Sequence, residues 1–447
     1  MTTDTFPQAS PKATRRDEDA KSVASQIEAA YQVQVQDKEA DFPDGGLRAW
    51  LVSAGIRIHK HMGCISSLLP GDHAPPHFSF KNVRSFQTLL YVTTDTTVSS
   101  AWIGSIQYAL VFFPGLVTGR MFDLGYFRGP QLAAAALFVA GTFLTAECKE
   151  YWQFLLCQGL AVGLASGLLF GTMIPVITHW FKARRGLAIG IAASGSSIGG
   201  TIIPIVARRL IPMIGFKWAI RVIGFILLVV VVVAVLTTRR RLPPVFVAGG
   251  LLNPSAFRYA PYSLYVLAAL LAWLGLYTVL TYLQVYAKEV KISPNLIPYL
   301  ISISNGASFF GRIGSGYLSD RIGPLNALIP ATMITGVATY AWPFARSDGS
   351  LIAIACIYGG SLGFFTGMWP MPVSTMGSVD DVGRRTGMLM SIVTIGALAG
   401  PPSSGAIRDA TGSFEYVGYY AGSVIVLCVL SMVGVKYATL GRFTGKL

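Results

Sequence analysis

Arg312 is the charged residue of this chain that packing alone explains least. It lies in the run Gly306 to Asp320, GASFFGRIGSGYLSD, eight residues before Asp320. A helix advances about 1.5 Å per residue, so the guanidinium sits about 12 Å deeper than the end that Asp320 marks. A charge at that depth in an apolar span is costly unless paired or hydrated, so the expectation divides between a substrate contact and a structural ion pair. A planar guanidinium holds a carboxylate with two hydrogen bonds, so the substrate that would suit it is an anion. Asp320 has a counterpart in Asp123, since GYLSD at 316–320 echoes GRMFD at 119–123. A carboxylate at such a turn can cap the positive N-terminus of a neighbouring helix in one conformation and release it in another. Asp123 and Asp320 are therefore expected to be gate elements, with the arginine pairs Arg184, Arg185 and Arg384, Arg385 beside them.

These side chains need long apolar helices to hold them. His179 to Gly200, HWFKARRGLAIGIAASGSSIGG, runs from a basic turn straight into a helix rich in glycine and serine. Lys182, Arg184 and Arg185 resist hydrocarbon and the residues from Gly186 onward do not, so a membrane boundary is expected between them. Gly186, Gly190 and Ser194 recur at every fourth position, as do Gly195 and Gly199, which leaves two bare stripes for close helix approach. The pattern returns at an offset of 200 residues: Arg184 and Arg185 match Arg384 and Arg385, and Gly159, Gly163 and Gly167 match Gly359, Gly363 and Gly367. Two halves of similar design imply a duplicated bundle of transmembrane helices.

Composition fixes the class. Of 447 residues 53% are hydrophobic and 13% charged, which is too apolar for a soluble protein of this size. The net charge of +14 falls in short loops between apolar runs, where it sets topology, so no nucleic-acid partner is expected and the lipid bilayer is. Cys64, Cys148, Cys157, Cys356 and Cys428 have neither CxxC spacing nor small-domain density, and no metal template or phosphate loop occurs. No enzyme site, metal or cofactor is expected. Residues 1–46 lack a secretory signal's apolar core and are expected to form a disordered cytoplasmic tail. Leu47 to Ile56 then begins a helix that stops after about half of the roughly 20 residues a span requires. The stretch that follows carries His59, His61, His73 and His77 among prolines. Residues 47–97 are thus expected to be a degenerate first-helix region, left by a splice or gene-model error or by real decay.

Beyond it about eleven apolar spans are expected, near 98–118, 131–147, 153–178, 186–207, 216–237, 260–285, 295–318, 325–345, 350–373, 386–407 and 416–438. They group into an N-terminal half at 98–237, a central loop at 238–257 and a C-terminal half at 258–440, with a tail at 441–447. Lys and Arg are commoner on the ends that include Arg184, Arg185, Arg384, Arg385 and the C-terminus, which places those ends in the cytoplasm. None of the 21 Asp and Glu residues falls in the middle of a span, so proton coupling is not derivable and exchange or uniport ranks beside it.

The motifs together resemble the major facilitator superfamily, and within it the monocarboxylate transporter-like branch found in fungi. The resemblance is carried by Asp44, Gly45, Gly46 and Trp50; by WIGSIQ at 102–107; by the fifth-helix signature from Phe181 to Gly199; by Gly275 to Tyr277 with Tyr282, Leu283, Gln284, Tyr286 and Ala287; and by Gly306 to Asp320. It covers roughly residues 41–55 and 85–440 and implies an all-α integral membrane protein of two six-helix halves that rock about a central site. It further implies that Arg312 contacts a substrate anion, and that Asn305, Tyr277, Tyr282, Gln284 and Trp369 line or flank the cavity. Four residues before Arg312, where such relatives carry an aspartate, this chain has Ser308. The expected activity is secondary transport of small, monocarboxylate-like organic anions or related metabolites at the plasma membrane. The alternatives are an exporter of a hydrophobic secondary metabolite, with an apolar cavity and no need of Arg312, and a non-transporting remnant.

Overall fold

The computed structural model describes residues 97–172, 176–177, 180–181, 184–239, 250–376, 382–442 and 445. The tail at 1–46, the degenerate first-helix region with its histidines, and residues 240–249 of the central loop lie outside the described residues. All that is described belongs to one unit, Gly45–Leu447.

Every regular element in the described residues is helical. In chain order they are α1 (Thr97–Phe112), α2 (Gly115–Asp123), α3 (Arg128–Thr145), α4 (Tyr151–Gly171) and α5 (Arg185–Thr237). After the central loop come α6 (Ala260–Gly275), α7 (Thr278–Glu289), α8 (Leu300–Ile322), α9 (Pro324–Ala341), α10 (Asp348–Met368), α11 (Val382–Thr411) and α12 (Phe414–Leu440). Helix α4 passes through a π-helical stretch at Leu155–Val162. Helix α5 is two arms, 185–214 and 216–237, joined at Gly215, whose φ of 78° belongs to a region that other residues enter at a steric cost. Among the described residues five helices are long and apolar enough to cross a membrane: Tyr151–Gly171, Arg185–Thr237, Ala260–Glu289, Asp348–Val373 and Phe414–Leu440. The count of eleven spans stands as an expectation.

Outward faces are apolar, as hydrocarbon requires: Val229, Phe225 and Leu236 on the second arm of α5, Phe310 on α8 and Leu430 on α12 are all exposed. Inward faces are small. Gly163, Gly167 and Gly171 of α4 lie so close to α1 and α2 that a Cβ on Gly167 would overlap the Leu110 carbonyl oxygen. Gly359, Gly363 and Gly367 of α10 lie in the same way on Ser304, Ser308 and Ser315 of α8. Gly163 and Gly167 thus do the same packing work in the first half as Gly363 and Gly367 do in the second.

The halves meet along two antiparallel seams. In one, the first arm of α5 lies on α8. In the other, α2 lies on the start of α11, where Gly115 faces Met390, Gly119 faces Gly383 and Gly387 faces Leu116.

Candidate functional site

The α5–α8 seam is hydrogen-bonded along its whole length. At its arginine-rich end the Asp320 carboxylate accepts from the backbone N–H groups of Gly186, at 2.8 Å, and Leu187, at 2.9 Å. These are orphan donors of the first turn of α5, where the helix dipole also favours a negative charge. Gly316 makes the approach possible, since a Cβ there would overlap the Gly186 carbonyl oxygen. Two turns deeper the Arg312 Nη1 donates to the Ala193 carbonyl at 2.8 Å. Beyond it the Ser197 hydroxyl donates to the Ser308 hydroxyl at 3.2 Å, and the Asn305 amide donates to the Gly200 carbonyl at 3.2 Å. The far end is closed by Arg208 over the Tyr299 ring, 5.5 Å from its centroid.

The halves also touch through rings. Tyr108 and Phe112 of α1 are one helical turn apart, as are Trp273 of α6 and Tyr277 just beyond its end. Tyr108 stacks on Tyr277 with centroids 4.4 Å apart, and Phe112 meets Trp273 at 4.4 Å and Trp369 at 5.6 Å, both edge to face. Phe170 of α4 adds a further edge contact to Phe112 at 5.8 Å, and Trp369 meets Trp273 at 5.4 Å. Phe112, Trp273 and Trp369 belong to one continuous apolar core with Leu276, Met368 and Met390. Two polar groups in this neighbourhood are buried without a hydrogen-bond partner: the Trp273 Nε1–H, and both amide atoms of Gln107 on α1. Trp273 is 2% exposed and Gln107 is 0% exposed. The desolvation of such a group costs about 1–3 kcal/mol, so each needs a reason to be there.

The residues singled out in the sequence fall in four places. Tyr277 and Trp369 are in the ring cluster, while Arg312 and Asn305 are in the α5–α8 seam. Tyr282 and Gln284 serve the far end of α7: the Tyr282 hydroxyl donates to the Pro401 carbonyl at 2.9 Å, and the Gln284 amide to the Ile297 carbonyl at 3.3 Å. The gate candidates gather at the arginine-rich end. Arg184 is exposed at the cap of α5, Arg185 donates to the Phe181 carbonyl at 3.4 Å, and Arg384 is half-buried. Arg385 is buried, and its carbonyl accepts from the Tyr262 hydroxyl at 2.8 Å. Asp123 ends α2, and its side chain is outside the described residues. Trp273, Phe112, Tyr108, Phe170 and Gln107 were missed in the sequence. The signal that could have found Tyr108, Phe112 and Trp273 is the pair of aromatic spacings, 108 with 112 and 273 with 277, each one helical turn apart.

Residues 78–379 match the family model of the Major Facilitator Superfamily. The chain is 33% identical over 401 residues to the aspyridones efflux protein apdF of Emericella nidulans, covering 88% of this chain and 79% of that one. It is 36% identical over 340 residues to the MFS-type transporter dbaD of the same organism, covering 74% of this chain and 76% of that one. It is 33% identical over 399 residues to a fujikurins efflux protein of Gibberella fujikuroi, covering 87% of this chain and 82% of that one. Among solved structures, FucP in its outward conformation superposes with a TM-score of 0.63 at 16% identity, over 87% of this chain and 98% of that one. The human organic anion transporter MFSD10 (TETRAN) gives 0.64 at 17% identity, over 87% of this chain and the whole of that one. At these identities the likeness is one of fold. Two halves of shared design, the helical architecture, the family model and the relatives converge: this chain is a multi-pass membrane protein that belongs to the major facilitator superfamily.

Proposed function

We propose that the chain is an exporter of a largely apolar, secondary-metabolite-like compound, working by alternating access. The observation that carries this is the ring cluster, in which aromatic side chains from both halves meet within one apolar core. A cluster of this kind favours substrates that bring their own apolar and π surface. Relatives named for the efflux of aspyridones and fujikurins support the same direction and class. The small organic anion, first in the reading of the sequence, rested on Arg312. That guanidinium donates from Nη1 to the Ala193 carbonyl across the α5–α8 seam, a contact that ties the halves together. The relatives' names favour export of secondary metabolites over monocarboxylate transport, so export of an apolar metabolite stands first here.

In this reading Asp320 is a gate latch. Its two hydrogen bonds to the start of α5 hold the arginine-rich end closed and break when that end opens. The arginine-rich end is taken as cytoplasmic and the membrane as the plasma membrane.

The test is accumulation in yeast cells stripped of their own drug exporters. Expression of the chain is expected to lower the steady-state content of Nile red, a neutral planar dye, and to leave uptake of radiolabelled lactate unchanged. Lactate transport without any effect on Nile red would return the assignment to the anion class.

A further inference from the structure

Trp273 Nε1–H is a buried donor with no acceptor, and it is held among rings from both halves. Its ring is fixed by Phe112 at 4.4 Å, Tyr277 at 5.2 Å and Trp369 at 5.4 Å, so the N–H cannot swing out to find a partner without breaking three ring contacts. The α11 side is closed as well, because Gly396 brings that helix within 3.2 Å of the Trp273 Cβ, measured from where a Cβ on the glycine would stand. Phenylalanine would fill much of the same space and bring no desolvated donor. Indole carries only a donor, so whatever satisfies it must bring an acceptor oxygen or nitrogen.

The cross-half contacts say what shape brings it. Tyr108 lies on Tyr277 with planes 21° apart, a stack, while Phe112 meets Trp273 and Trp369 edge to face. When the halves part, the rings of α1 and α4 separate from those of α6 and α10, and each face so exposed accepts a flat π surface at the spacing it had with its former partner. An aliphatic or globular solute would leave those faces poorly matched.

We propose that the site selects a flat, conjugated, uncharged ring system bearing a carbonyl oxygen, with the rings providing the stack and the Trp273 Nε1–H donating to that oxygen. This deepens the export reading and rests on it for the site's being a transport site. Trp273 is on this account a specificity-determining residue for the substrate's acceptor.

The experiment compares two tricyclic probes on purified full-length protein by fluorescence anisotropy, so that it is independent of transport direction. Acridone is flat and neutral and has a ring carbonyl, whereas anthracene has the same outline and no acceptor. Wild type is expected to bind acridone about tenfold more tightly than anthracene, the size of one well-formed neutral hydrogen bond. Trp273→Phe is expected to erase that preference by weakening acridone alone, and Phe112→Leu to weaken both probes while keeping their ratio. Melting curves of each variant confirm folding, and a Trp273 that is merely structural would shift melting without moving the ratio. Equal affinity of wild type for the two probes, no binding of either, or a preference that survives in Trp273→Phe would each overturn the proposal. A protein that fails to export Nile red and still shows the Trp273-dependent ratio would sink the export reading and leave the binding assignment intact.

Discussion

Asp320 and Gln107 illustrate opposite uses of a buried polar group. The Asp320 carboxylate meets two N–H groups that α5 cannot satisfy itself, so truncation to alanine orphans both donors and removes a charge from the positive end of the helix. Loss of such a cap costs about 1–2 kcal/mol, which would shift a closed-to-open equilibrium at that end by roughly 5- to 30-fold. The expected readout is faster maleimide labelling of a cysteine placed at Ser319, the buried neighbour of Asp320, in a protein whose native cysteines are replaced by serine, fastest in the Asp320→Ala background and intermediate in Asp320→Asn, which keeps one acceptor. Identical labelling in all three backgrounds would rule out a latch. Gln107 lacks any hydrogen-bond partner for either amide atom. Gln107→Leu is therefore expected to raise the melting temperature, because an unmatched amide is exchanged for apolar volume of similar size. If export falls at the same time, the amide is retained for the substrate, as stability is given up where function requires it.

At the scale of elements, stability comes from how closely backbones approach, and the glycines of α8 separate that cause from helix propensity. Gly316 faces the backbone of α5, whereas a Cβ on Gly314, two residues earlier, would meet nothing within 4 Å. Gly316→Ala is expected to push α5 and α8 apart and cost about 1–3 kcal/mol, while Gly314→Ala is neutral or stabilising through better helix propensity. Thermal unfolding in detergent of the two single variants would decide; equal melting temperatures would mean the seam yields freely. The stripes at 186, 190 and 194 and the repeat at an offset of 200 were legible in the sequence because bare faces have a period. Which helix each face meets was not legible. Nothing in the spacing of Gly186 says that its neighbour is Gly316, since that pairing depends on how two halves are docked.

A loop contact gives the element scale its pH dependence. Glu147, between α3 and α4, takes Lys217 at 2.5 Å and Arg221 at 2.7 Å from the second arm of α5. The hydrogen bond from Lys217, followed by that from Arg221, holds its carboxyl below the ordinary value of 4.5. The contribution of the pair to stability is thus present above about pH 4.5 and lost as pH falls through the lower folded-state value. The group is solvent-exposed, so the effect is small and salt-sensitive. Glu147→Gln should melt slightly earlier than wild type at neutral pH and low salt, and together with it in strong acid or high salt. A gap that persists at high salt would point to packing instead of charge.

The whole molecule is two halves held by unlike kinds of contact. Along α5 and α8 the contacts are polar and run from Asp320 at one end to Arg208 and Tyr299 at the other. In the ring cluster the contacts between the halves are aromatic. A polar seam in an apolar bundle has discrete positions, because each hydrogen bond is either made or lost. Ring contacts can be traded for a flat solute at little change in surface. The duplication that makes such rocking possible was legible in the sequence. The ring cluster was not, because it is assembled from helices far apart in the chain, and an aromatic residue in a membrane helix has the same appearance whether it faces lipid or partner. Rocking requires the seam to part, and the Thr201 hydroxyl lies 3.4 Å from the Ser302 carbonyl near the end away from Asp320. With Cys64, Cys148, Cys157, Cys356 and Cys428 replaced by serine, the double variant Thr201→Cys and Ser302→Cys should export under reducing conditions and stop when an oxidant joins the two sulfurs. Dithiothreitol should restore export, and each single cysteine should be indifferent to oxidation. Export that continues in the fully crosslinked protein would mean that α5 and α8 move as one body and that the passage opens along α2 and α11 alone.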